Sequence, residues 1–181
     1  MNSSEAGRAL SARALLRWQF GRTHALLDNA IDRLSPELAH WHPPGGSAPV
    51  GACYARAVWC EDLSVNGVLA AGTPLALSTW AARTGLSELP PLARGGSDDG
   101  PAWARRVRLD LDQLHPYAQA VYAATDAYLA ALPDDAFDAT HGEAPVCLLS
   151  AFLLTLAMRR GEIACLTTTR YPQSALQPDG P

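Results

Sequence analysis

Residues 153–166 read LLTLAMRRGEIACL and form the second half of a predicted amphipathic helix. Apolar side chains recur there at spacings of three and four, which is the period of an α-helix. We expect this helix to run from about 146 to 168, with Phe152, Thr155, Leu156, Arg159 and Ile163 along its inward stripe. A buried guanidinium without a partner is costly, so the sequence predicts a partner for Arg159.

Three more segments upstream have the same helical period. They cover about residues 9–34, 49–70 and 102–132, and Pro116 is expected to kink or restart the last of them. No segment shows the alternation of a half-buried strand, and amphipathic helices without a sheet can bury their stripes only against one another. The sequence therefore predicts an all-α fold, an up-down-type four-helix bundle.

Turn signals separate these helices. Ser35-Pro36-Glu37 is an N-cap followed by proline at the first helical position, and HPPGG at 42–46 predicts a rigid corner. Residues 76–101 are expected to form a short helix and then an exposed loop, and residues 133–145 a linker. We expect a single domain over 1–181, with its core at about 9–168 and a C-terminal tail at about 170–181.

Composition excludes several classes of function. A net charge of −4 without long charged blocks argues against nucleic acid as a partner. All 14 basic residues are arginine, and the absence of lysine excludes a lysine Schiff base, a pyridoxal-phosphate anchor and a Walker-A phosphate loop.

The four cysteines and the apolar runs predict a soluble, cytoplasmic protein with no membrane partner. The cysteines, which are Cys53, Cys60, Cys147 and Cys165, lack CxxC spacing, so we expect free thiols in a reducing compartment. The N-terminal residues have no apolar core of the kind found in a secretory signal. The apolar runs are either interrupted or too short to cross a bilayer.

The last helix resembles a known family. TLAMRRGEI, residues 155–163, is similar to the HxxxHxGxI ending found in the DinB/YfiT-like metalloprotein superfamily, to which the mycothiol- and bacillithiol-dependent transferases belong. The second helix resembles the G-x4-H-x4-ED segment of that family, with Gly51, Arg56 and Glu61-Asp62 at the matching positions. The resemblance covers roughly residues 10–168 and implies a bacterial protein with a DinB-like bundle.

The resemblance also implies a divalent metal held by three histidines, and here this chain departs from the family. Arg56, Thr155 and Arg159 occupy the three positions, and a guanidinium has no lone pair for coordination. The five histidines are His24, His40, His42, His115 and His141, and none lies on the second or fourth predicted helix. We therefore expect no metal and no other cofactor, and a thiol transferase that depends on metal activation is disfavoured.

Two interpretations of the arginines stay open. Arg56 and Arg159 could clamp the carboxylate or enolate of a small molecule, or stabilise negative charge that develops during a reaction. Alternatively, Arg159 could pair with Glu162, or with Glu61 or Asp62 across the bundle, and contribute no chemistry.

The remaining candidate residues also have two interpretations each. His24, on the inward stripe of the first helix, could be a general base or a hydrogen-bonded core residue. Trp59 could be pocket wall or core, and Thr155 could donate to a ligand or to the carbonyl of Ala151. Glu162 is expected near the ligand or paired with Arg159. Gly161 indicates close helix approach, since glycine inside a helix is otherwise unfavourable.

The sequence thus predicts a metal-independent DinB-like protein that binds a small, anionic organic molecule between its helices. It could catalyse isomerisation, cyclisation or group transfer in a specialised bacterial pathway. The alternatives are a non-catalytic binding protein and a structural or dimerising bundle whose interior is filled by arginine–carboxylate pairs. A homodimer is left open, and no exposed apolar stripe is expected that would demand one.

Overall fold

The computed structural model describes residues 11–32, 34–43, 48–91, 99–137 and 145–170, with side chains through residue 165. Its α-helices are α1 (Ala12–Ile31), α2 (Pro36–Ala39), α3 (Val50–Asp62), α4 (Gly100–Arg106), α5 (Leu111–Ala131) and α6 (Pro145–Arg170). A π-helix, Leu63–Leu69, continues α3, and short 3-10 helices cover Leu75–Leu77 and Asp134–Phe137. The described residues contain no strand, only an isolated bridge between Leu86 and Leu109. The predicted all-α fold is confirmed.

The four long helices α1, α3, α5 and α6 form the bundle. α6 packs against both α1 and α3, and α5 packs against the same two helices from the other side. Ser11 begins α1 by accepting a hydrogen bond from the amide of Ala14 at 3.2 Å. The stripe predicted for α1 is buried as expected at Leu16, Phe20, His24, Leu27 and Ile31.

α3 is buried on almost every side, which a single inward stripe does not describe. Tyr54, Ala55 and Val58 are as buried as the predicted face. α2 covers the start of α3, and a Cβ on Gly51 would lie 2.8 Å from the carbonyl oxygen of Ala39. The close approach of these two helices therefore requires glycine at position 51.

The helical break expected at Pro116 lies elsewhere. α4 ends at Arg106, and α5 begins after Asp110, whose carboxylate accepts hydrogen bonds from the amides of Asp112 and Gln113 at 3.1 and 3.3 Å. This N-cap fixes the start of α5. Pro116 lies exposed inside α5, where water can reach the carbonyl that its missing N–H leaves without a partner.

The predicted connections are partly observed. Ser35 caps α2 with Pro36 in its first turn, as expected. Residues 44–47, 92–98, 138–144 and 171–181 lie outside the described residues, and with them most of HPPGG, the RGGSDDG segment, His141 and the predicted tail. No helix in the described part of the chain is both long and apolar enough to cross a membrane.

Candidate functional site

A cleft of about 250 Å³ opens between α3, α4 and α6. Its charged lining consists of Arg56 from α3, Arg105 from α4, and Arg159 and Glu162 from α6, and these four residues define the arginine cleft. The opposite wall is apolar and includes Trp103 and Ala52. The sequence predicted that Arg56, Arg159 and Glu162 belong together, and the structure brings all three to one cleft.

Arg56 reaches the cleft because the start of α4 leaves room for it. Its guanidinium lies against the backbone of Gly100, and a Cβ on that glycine would overlap the guanidinium nitrogen Nη1. Arg56 is half-buried, and it forms no ion pair with any carboxylate in the described ranges. Its charge therefore faces the cleft without a described counter-charge.

Arg159 has a partner within its own helix. Its Nη1 donates to Oε2 of Glu162 at 2.9 Å, one turn further along α6. This hydrogen bond raises the pKa of Arg159. Of the carboxylates that the sequence offered Arg159, Glu162 is the one that it contacts, and the alternatives Glu61 and Asp62 are not its partners.

Cys53 lies in the wall of the arginine cleft as a free, buried thiol. Burial raises its pKa to about 12, and the Glu162 carboxylate adds to the effect. The pKa of Cys60, one side of Arg56 along α3, is also raised by burial. Since only a thiolate attacks an electrophile, neither thiol is poised as a nucleophile at neutral pH.

Arg105 is the residue of the cleft that sequence reasoning missed. It is exposed on α4, in the run Ala104-Arg105-Arg106, which has the appearance of an ordinary charged helix end. No spacing rule connects α4 to α3 or α6, so its place in the cleft follows only from the packing of the bundle.

His24 lies in a separate buried cluster. Its Nε2 is 2.9 Å from Oε1 and 3.0 Å from Oε2 of Glu61, whose side chain is fully buried. The imidazole stacks on Tyr122, with ring centroids 3.8 Å apart, and Thr125 donates to Glu61 at 2.6 Å. The expected cavity lined by His24 together with Arg56 and Arg159 is not found, because His24 does not line the arginine cleft. Its role as a general base stays a prediction.

Asp62, the neighbour of Glu61, holds the end of α3 to the following loop. Its carboxylate accepts hydrogen bonds from the amides of Leu75 and Ala76, from the side chain of Asn66 and from the Tyr117 hydroxyl. The Glu61-Asp62 pair of the second helix is therefore committed to the interior of the bundle.

Three other predicted positions lie away from the cleft. Trp59 is buried in the core, and Thr155 is exposed on α6, where its hydroxyl donates to the carbonyl of Ala151 at 3.1 Å. These placements match the packing alternatives that the sequence offered for both residues. The close helix approach expected at Gly161 is wrong within this chain, because no atom lies within 4 Å of where its Cβ would stand.

The side chains at the family's metal positions do not fit a divalent ion. Arg56 and Arg159 present cationic guanidinium groups, and Thr155 points to solvent. Across the described ranges, no group of three or more histidine, cysteine, aspartate or glutamate side chains is arranged to hold a metal.

Comparison with known proteins agrees with this fold. The chain is similar to a conserved protein from Enterococcus faecalis of known crystal structure, with a TM-score of 0.68 and 19% sequence identity. The alignment covers 87% of this chain and 96% of the other, which supports the fold and says nothing about activity. A search of curated proteins gave no match. The family model described as the DinB superfamily matches residues 19–157, so the chain belongs to the DinB superfamily.

Proposed function

We propose that this protein binds a small anionic organic molecule in the arginine cleft, without a metal ion. The observation that carries the proposal is the convergence of three guanidinium groups on one cleft that contains a single carboxylate, Glu162. Glu162 is already paired with Arg159, so Arg56 and Arg105 remain to bind a ligand.

Arg56 is the strongest argument for an anion. A half-buried guanidinium without a counter-charge loses hydration without recovering it from a partner. A carboxylate entering the cleft would accept two parallel hydrogen bonds from Arg56, and such charge-assisted pairs are stronger than neutral ones. Partial burial also strengthens the attraction, since the effective dielectric constant is lower than in water.

The size and lining of the cleft limit the ligand. At about 250 Å³, the cleft is smaller than the roughly 300–1,000 Å³ pockets that hold drug-sized molecules. Trp103, Pro101 and Ala52 supply an apolar wall opposite the charges. We expect a compact carboxylate with one apolar side.

Metal independence is part of the proposal. The guanidinium groups of Arg56 and Arg159 stand at positions where the family resemblance implies histidines, and they would repel a cation. The same positive charge could do in a reaction what an electrophilic metal does, by stabilising an enolate or another developing anion. Isomerisation, cyclisation and group transfer are the reaction classes that fit this role. A reaction that depends on a thiolate from Cys53 does not fit, because burial holds that thiol protonated.

The alternatives are a non-catalytic binding protein and a structural bundle whose polar interior is inert. The Arg159–Glu162 pair favours the inert interpretation for Arg159, since the two side chains neutralise each other. It does not account for Arg56 or Arg105, which have no carboxylate partner in the portion of the chain that is described. The binding proposal therefore depends on Arg56 first.

Isothermal titration calorimetry against a panel of small carboxylates tests the proposal. We expect Arg56→Ala to weaken binding by about 10- to 150-fold, the equivalent of losing a hydrogen bond to a charged group worth about 1.5–3 kcal/mol. Arg22→Ala, on the exposed face of α1, removes the same charge away from the cleft and should leave affinity unchanged.

Equal affinities in wild type, Arg56→Ala and Arg105→Ala would show that the cleft does not clamp an anion. For any carboxylate that binds, product formation then separates an enzyme from a binding protein. A rate that is unchanged in His24→Gln would remove His24 from the mechanism.

A further inference from the structure

The outward face of α6 is apolar along most of its length. Cys147, Ala151, Leu154, Met158, Gly161 and Cys165 lie on the side opposite the core residues Leu149, Leu156 and Ile163, and we name these six residues the outer seam. Leu154 is 64% exposed and Met158 is 69% exposed. The charged side chains described on this helix, Arg159, Arg160 and Glu162, lie off the seam.

This pattern corrects the expectation that no exposed apolar stripe would be found. A helix on the surface of a bundle normally carries polar residues on its outer face. The outer seam instead repeats at alternating intervals of four and three residues, from 147 to 165, which is the heptad spacing of a coiled-coil contact. α6 therefore has two contact faces, one for its own core and one for another helix.

The outer seam is also symmetric in sequence about position 156. Residues 154 and 158, 151 and 161, and 147 and 165 are equally distant from that position. In an antiparallel pair of α6 helices, Leu154 would face Met158 of the second copy, Ala151 would face Gly161, and Cys147 would face Cys165. Large residues meet at the centre and small residues meet beside them, and each contact occurs twice, as a two-fold interface requires.

Gly161 gives this arrangement independent support. Glycine inside a helix is less favourable than alanine, and nothing within 4 Å in this chain uses the space left by its missing side chain. Opposite Ala151 of a second copy, that space would allow the two helix axes to approach closely. The glycine then has a packing reason that the single chain does not supply.

We propose that α6 forms an antiparallel, two-fold dimer with α6 of a second copy through the outer seam. The seam is roughly 27 Å long, from 1.5 Å of rise per residue. One helix pair of that length buries less than the roughly 800 Å² per partner of a standard interface, so the dimer is expected to dissociate on dilution. Arg56, Arg105 and the rest of the arginine cleft are not part of this contact.

Sedimentation velocity over a wide range of concentrations tests the dimer. Wild type should shift from monomer to dimer as concentration rises, and Met158→Glu should stay monomeric. Leu77→Glu places the same charge on another exposed leucine, 56% exposed and outside α6, and should dimerise like wild type. A wild-type monomer at every concentration, or a dimer that tolerates Met158→Glu, overturns the proposal.

Thiol crosslinking tests the direction of the helices in the otherwise native protein. A short bismaleimide adds to two thiols without a redox step, and it should link Cys147 of one copy to Cys165 of the other. Removing either thiol, in Cys147→Ser or in Cys165→Ser, should abolish the crosslink. Crosslinks that persist in both single variants would indicate a parallel pair or a different surface, and the antiparallel seam would be wrong.

Discussion

Replacement of Asp62 by asparagine should destabilise the protein strongly although the two side chains have the same shape. Oδ1 of Asp62 accepts from Asn66 Nδ2 and the Leu75 amide, both at 2.8 Å. Oδ2 accepts from the Ala76 amide at 2.8 Å and the Tyr117 hydroxyl at 2.9 Å. An amide keeps one oxygen only, so its NH₂ group must face two donors whichever way it is turned.

The magnitude follows from these four contacts. A hydrogen bond to a charged group contributes about 1.5–3 kcal/mol, and two are lost, so the free energy of unfolding should fall by about 3–6 kcal/mol. The lower end is favoured, because the variant amide can turn towards Asn66, whose half-buried side chain can rotate away. A loss of that size is a large share of the roughly 5–15 kcal/mol by which a domain is stable.

Urea unfolding followed by far-ultraviolet circular dichroism measures this loss. Asp126→Asn is the matched control, since Asp126 pairs with Arg17 on the surface and such pairs contribute little. If Asp62→Asn unfolds within about 1 kcal/mol of wild type, the network at Asp62 does not hold α3 to its loop in the way described.

Three further predictions concern other regions. Gly161→Ala should raise the stability of dilute, monomeric protein by up to about 1 kcal/mol, or roughly 2–4 °C in Tm, and a lower Tm by thermal circular dichroism would contradict the open space seen at that position. Cys53, with a pKa of about 12, should be thiolate in only about one molecule in ten thousand at pH 8. Iodoacetamide labelling read by mass spectrometry should therefore modify Cys53 far more slowly than the exposed Cys165, and equal rates would refute the assignment. The pKa of Asp126 is lowered by its hydrogen bond from Arg17, so the stabilisation from this pair is present above the ordinary aspartate pKa and is lost as pH falls through the lowered value. Any stability difference between wild type and Asp126→Asn should disappear in acid, and a difference that grows in acid would have the wrong sign.

The helices could be predicted from sequence because their signal is local. The period of α1 alone identified five buried residues, among them Phe20 and His24. The same reasoning failed on α6, where apolar residues lie on both faces and the phase of the stripe is ambiguous. Thr155 was placed inward with Leu156, and the structure exposes it.

The candidate site could be predicted only where a motif connected two helices. Arg56 and Arg159 were paired through the family resemblance, and the structure brings both to one cleft. Arg105 comes from α4, which no motif covers. The contact of His24 with Glu61 joins residues 37 positions apart, and no periodicity encodes such a long-range choice of partner.

Gly100 makes the position of a charge in α3 adjustable from another helix. The Arg56 guanidinium rests on bare backbone there, so a methyl group at position 100 would push it further into the cleft without any change to α3 itself. Related chains could therefore differ in the size of ligand that they admit through a single small residue that never touches the ligand. Position 100 is accordingly a natural first site at which to diversify the protein in a search for new ligands.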